Sequence, residues 1–150
     1  MKKPANGSSN LPDPTYCDNM DCVFCKIVSK EIPCYKVYED EDFLAFLDIN
    51  PRNPGHCLVI SKKHYRWVWD IPNIGEYYKV VKKVANAIRK ALNIEQIVSV
   101  VWGEEVHHAH IWLVPRFEND GLENPFRKGS VKEISKEEME EIAKKIRSAF

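Results

Sequence analysis

The sequence predicts an α+β domain whose sheet is mostly antiparallel and about five strands wide. Three observations carry that prediction. Short segments rich in Val, Ile, Phe, Tyr and Trp alternate with turn residues; two longer segments carry apolar residues at helical spacing; and most strand-to-strand connections are too short for a parallel crossover.

Residues 1–19, rich in Pro, Asn, Ser and Lys, hold little to bury and read as a disordered tail. A single domain is expected over 20–150. Its first element is a short helix in the second half of Asp21–Val28. Tyr35–Glu39 alternates like a strand, and the acidic turn Asp40-Glu41-Asp42 joins it to a second strand at Phe43–Asp48. Asn50-Pro51-Arg52-Asn53-Pro54-Gly55 is a loop by its turn residues, and His56–Ser61 a third strand. Asn73 with Glu76 makes a capping-box pattern ahead of Tyr77, Val81, Val84, Ile88 and Ala91, so one amphipathic helix is predicted over 73–92. Glu95–Trp102 and Val106–Arg116 read as strands four and five. Ser135 with Glu138 opens a terminal helix that buries Met139, Ile142, Ala143 and Ile146.

Composition excludes several classes. Lys plus Arg and Asp plus Glu both count 22, so no net charge points to nucleic acid or an anionic membrane. No apolar run approaches a membrane span, and the N-terminus lacks a signal-peptide core. A cytoplasmic setting is expected, in which the five cysteines are thiols or metal ligands in preference to disulfides.

Two patterns carry chemistry. Val106–Arg116 holds three of the five histidines, and strand alternation puts His108, His110 and Trp112 on one face with His107 on the other. Those side chains either fill a core as hydrogen-bonded rings or build a site. The second pattern is Cys22-x-x-Cys25, which can supply two corners of a tetrahedral zinc site, with His56, His64, His107, His108 and His110 as candidates for the rest. A redox pair is a weaker fit, because no βαβ unit surrounds it. Cys17-x4-Cys22-x2-Cys25, with Cys34 or Cys57, also matches an iron–sulfur spacing, although Cys17 falls in the expected tail.

His108-Ala109-His110-Ile111-Trp112-Leu113-Val114-Pro115-Arg116 resembles the histidine-triad (HIT) signature. Cys22–Ile27, Glu31-Ile32-Pro33, Val37–Asp40, Ala45–Pro51 and Pro54–His64 resemble that family's N-terminal half in order and spacing. The resemblance covers roughly Asp21 to Arg116 and implies a HIT-like fold of the zinc-containing branch. It implies His110 as a nucleophile toward the α-phosphorus of a nucleotide, and a structural zinc held by Cys22, Cys25, His64 and His108. Phe24, Ile27, Phe46 and Ile49 would surround a purine base, Asp48 would take the ribose hydroxyls, and His56 would line the pocket. Gly103, Glu104, Glu105 and Trp112 would lie by the phosphate. A homodimer is also implied.

Two positions depart from the family pattern. Trp112 stands where the third histidine is usual, and an indole cannot shuttle a proton near neutral pH. Glu104 stands where glutamine is usual, and its carboxylate repels a phosphate. The sequence therefore leaves two functions open: a nucleotidyl hydrolase or transferase working through His110, or a catalytically weak, zinc-stabilised nucleotide-binding scaffold.

Overall fold

The structure, a computed structural model, describes residues 21–124, 127 and 129–150. The expected tail and Cys17 lie outside those residues. The elements run α1 (Val23–Val28), β1 (Lys36–Glu39), β2 (Phe43–Leu47), β3 (Cys57–Ser61), a 3-10 turn (Val68–Asp70), α2 (Ile74–Leu92), β4 (Ile97–Val100), β5 (His110–Pro115) and α3 (Lys136–Arg147). The strands form one sheet in the order β1-β2-β3-β5-β4, and every neighbouring pair is antiparallel.

β2, β3 and β5 are buried along their whole length because both faces of the sheet are covered. Alternation divides each strand between two cores. Phe43, Ala45, Leu47, Cys57, Val59, Ile111 and Leu113 face α2 and α3, where Val84, Ile88, Ile142 and Ile146 complete the larger cluster. The hydroxyl of buried Tyr77 on α2 donates to the Val59 carbonyl at 2.6 Å and ties the helix to the central strand. Leu44, Phe46, Leu58, Ile60, Trp112 and Val114 point the other way and pack with Cys22 and Phe24 of α1. The functional candidates occupy this second face.

Three sequence expectations need correction. The fifth strand begins at His110, not Val106, because the Ala109 N–H donates to the Tyr65 carbonyl (2.7 Å) instead of joining the ladder. The common face of His110 and Trp112 survives, whereas His108 and His107 lie in the preceding loop, where alternation assigns no face. Asn73 makes no side-chain cap bond; its backbone (φ −95°, ψ 51°) departs from the extended conformation that aims a cap side chain at the first free N–H groups. The fourth strand is four residues, ending at Val100. By contrast, Ser135 caps α3 by accepting from the Glu138 N–H at 3.1 Å.

Candidate active site and metal centre

β5 delivers His110 and Trp112 to the site face, paired across the ladder with Ile60 and Leu58 of β3. α1 closes over them, with Phe24 edge-on to the rings of His110 (5.1 Å), His108 (5.8 Å) and Phe46 (5.7 Å). Between α1, the loop after β2 and the loop before β5 lies a cavity of about 220 Å³.

His110 is 7% exposed and lines that cavity. Its Nδ1 lies 2.6 Å from the His108 carbonyl oxygen, which can only accept, so Nδ1 carries the proton. The Nε2 lone pair is thereby left for a ligand. Burial, aided by the Arg66 cation, holds the imidazole pKa below its ordinary 6.5, against the raising effect of that hydrogen bond and of the Asp48 and Glu105 carboxylates. The ring is neutral at pH 7 and its tautomer is fixed.

The loops supply the rest. Phe24, Ile27, Phe46 and Ile49 form apolar wall, and Asp48 presents a carboxylate beside them. Gly103, Glu104, Glu105 and Trp112 also line the cavity. Gly103 has φ +82°, and a Cβ there would meet the Trp67 ring at 3.3 Å, so the turn needs glycine. Arg66 stacks on Trp67 (3.6 Å) and donates to the Gly103 carbonyl (2.7 Å), which pins the loop.

His56 stands apart. It is fully buried behind the wall, 5.0 Å from the Trp112 ring, and does not line the cavity. Its Nδ1 accepts from the Arg52 N–H (3.1 Å); its Nε2 lies 3.6 Å from Asp48 Oδ2 with no hydrogen-bond partner among the described residues. Arg52 and Trp102 do line the cavity, and sequence reasoning passed over both. A cation in the loop just after Asp48 was the available signal for Arg52; Trp102 looked like strand.

Next to the cavity, Cys22, Cys25, His64 and His108 converge, their donor atoms all within 4.8 Å of one another. Cys22 caps α1 and Cys25 lies one turn on, so both sulfurs fall on one side of the helix start; the Cys25 N–H donates to Cys22 Sγ at 3.4 Å. Cys22 Sγ is 3.5 Å from His108 Nδ1, and Cys25 Sγ is 3.3 Å from His64 Nδ1 and 3.5 Å from His108 Nδ1. A tetrahedron with zinc–sulfur and zinc–nitrogen bonds of about 2.3 and 2.0 Å has a sulfur–nitrogen edge of about 3.5 Å, so the donor set fits zinc. His108 Nε2 donates to the Ser61 carbonyl at 2.6 Å, which turns the unprotonated Nδ1 toward the sulfurs. Burial pushes the His108 pKa down to about 4, keeping the ring neutral as a ligand must be. Cys25 is disulfide-bonded in the structure, so its sulfur could serve as a ligand only as the reduced thiolate.

Comparison with known proteins identifies the family. The model of the HIT domain matches residues 29–119. The chain is 43% identical over 132 residues to an uncharacterized HIT-like protein of Methanocaldococcus jannaschii, covering 84% of this chain and 98% of that one. It is 38% identical over 105 residues to the adenosine 5'-monophosphoramidase of Saccharomyces cerevisiae, covering 67% and 66% of the two chains. Among solved structures, a zinc-bound histidine triad family protein from Mycobacterium smegmatis superposes with a TM-score of 0.73 at 34% identity, covering 87% of this chain and 93% of that one. The matched domain model, the curated relative and the zinc-bound solved structure all point to one class, the HIT proteins. The chain belongs to the HIT domain family.

Proposed function

We propose that this chain is a nucleotidyl hydrolase or transferase acting at the α-phosphorus of a purine nucleotide conjugate, with His110 as nucleophile. The observation that carries the reading is the Nδ1–H bond from His110 to the His108 carbonyl, which leaves Nε2 as a neutral nucleophile at the cavity wall. The relative that is named an adenosine 5'-monophosphoramidase supports the substrate class.

In this reading the base lies among Phe24, Ile27, Phe46 and Ile49, and the ribose hydroxyls donate to Asp48. The Nε2 lone pair attacks phosphorus; a nitrogen–phosphorus bond forms, and the bond to the leaving amine or ester breaks with its electron pair. Water then attacks the nucleotidyl-His110, the electron pair of that bond returns to Nε2, and the water's proton passes to solvent. Trp112, at the third triad position, offers a donor N–H but no exchangeable acid near pH 7. Leaving groups that bring their own proton, such as the nitrogen of a phosphoramidate, are therefore favoured over esters. Zinc on Cys22, Cys25, His64 and His108 would be structural, pinning α1 to the loop ahead of the nucleophile. A homodimer in a cytoplasmic setting completes the reading; among the described residues no helix is long and apolar enough to cross a membrane.

The test is hydrolysis of adenosine phosphoramidate by wild type and His110→Ala. Wild type should turn over and show a nucleotidyl adduct by mass spectrometry, whereas the variant should show no adduct and at least about a thousandfold less activity. Equal rates would remove His110 from the chemistry. Trp112 and Glu104 favour a second reading, a nucleotide-binding scaffold that has lost turnover. Calorimetric AMP binding with no adduct on any nucleotide conjugate would select it.

A further inference from the structure

We infer that Arg52 receives the substrate's phosphate, with its guanidinium held over the indole of Trp112 one strand step from His110. The inference rests on the reading above. It begins from charge. Of the described residues lining the cavity, Arg52 is the one lysine or arginine, and it shares that lining with Asp48, Glu104 and Glu105. Those carboxylates would oppose a phosphate monoanion or dianion unless a cation stood among them.

Geometry places that cation where it is needed. The Arg52 guanidinium carbon lies 5.0 Å from the centroid of the Trp112 ring, within cation–π range. Trp112 and His110 point to the same side of β5, two residues or about 7 Å apart, and Arg52 lines the same cavity as both. Both ends of Arg52 are anchored. Its backbone N–H donates to His56 Nδ1 at 3.1 Å and its Nη1 to the Asn50 carbonyl at 2.8 Å. The platform is also fixed, because the Trp112 ring packs against His56 at 5.0 Å and Trp102 at 6.0 Å. A guanidinium matches phosphate oxygens with a planar fork that an indole N–H cannot supply. Trp112 thus has a part in phosphate binding without touching it: it is the surface that orients Arg52.

The test is calorimetric binding of AMP and of adenosine, which lacks the phosphate, to wild type, Arg52→Gln and Arg52→Lys. Wild type should prefer AMP, and Arg52→Gln should lose about 10- to 100-fold in AMP affinity while adenosine binding stays within about twofold. Arg52→Lys keeps the charge but not the fork and should fall between them. Should the glutamine variant not fold, the lysine variant decides, with AMP affinity down about three- to tenfold and adenosine unchanged. Affinities for AMP and adenosine that fall together would mark a merely structural residue and overturn the inference. A wild type that prefers AMP, with a variant that prefers it equally, overturns the role of Arg52 and leaves that of His110 standing. A wild type that binds neither ligand overturns both.

Discussion

His56, buried behind the cavity, makes the stability of the fold depend on pH. Burial drives its pKa from the ordinary 6.5 down to about 4, only partly offset by Asp48, so the folded protein binds the proton more weakly than the unfolded chain. The stability this ring permits is present in full above pH 6.5 and is lost as the pH falls from 6.5 toward 4, by roughly 3 kcal/mol. In urea melts at pH 7.5 and pH 5, His56→Gln should show a smaller difference than wild type, since it removes the titrating group. An equal pH difference in both proteins would assign the effect elsewhere. At this scale the sequence was legible for identity but not for orientation. The residue types of the triad stretch are plain, yet the acceptor that locks His110 is a backbone carbonyl two residues away, and no side-chain pattern encodes its direction.

Among the elements, α1 depends most on something beyond its own sequence. It is six residues long, far below the length at which a helix stands alone, and the proposed zinc on Cys22, Cys25, His64 and His108 would tie it to the two histidine loops. Metal analysis of the reduced protein should return about one zinc per chain, and Cys22→Ser should lose it. That variant should also melt at a lower temperature by circular dichroism; retention of a full equivalent of zinc would refute the ligand set. At α3, Ser135→Ala removes an observed cap bond and should cost about 1 kcal/mol in chemical denaturation, while Asn73→Ala, which removes none, should cost less. Period-2 and period-3.6 patterns located the five strands and the two long helices to within a few residues, and missed the 3-10 turn at Val68–Asp70. They failed at Val106–Ala109 because apolar composition reads as strand wherever it is buried, and only the tertiary bond to Tyr65 shows that the ladder has not begun.

The whole molecule is closed by a polar latch that no local pattern foretells. Asn53, fully buried, donates to the Pro115 carbonyl (2.8 Å) and to Asp120 Oδ2 (2.9 Å); Lys132 donates to Asn53 Oδ1 (2.5 Å) and to the Asp120 carbonyl (2.7 Å). Arg116 grips Asp120 with two bonds, of 2.8 and 3.0 Å, which hold that carboxyl well below the usual carboxylate range. The latch joins the loop that carries Arg52, the end of β5 and the segment leading to α3. Asp120→Ala leaves Arg116 and Asn53 short of a partner and should destabilise the fold by about 3 kcal/mol in equilibrium unfolding, with a cost under 1 kcal/mol counting against the latch. These contacts span up to 79 positions of sequence, so the turn residues in both loops were readable but their mutual bonding was not.

Placing His110 on β5, between β3 and β4 and covered on both faces, also sets the clock on which different parts of the site move. Amides of β3 and β5 open only with global unfolding and should be the slowest in the chain to exchange with deuterium. The Gly103–Glu105 turn and the Asp48–Arg52 loop, which also line the cavity, are outside the ladder and should exchange sooner. The proposed nucleophile thus sits in the most protected part of the chain while the loops around it are held by fewer bonds, so a ligand should slow exchange in the loops and leave the central strands unchanged.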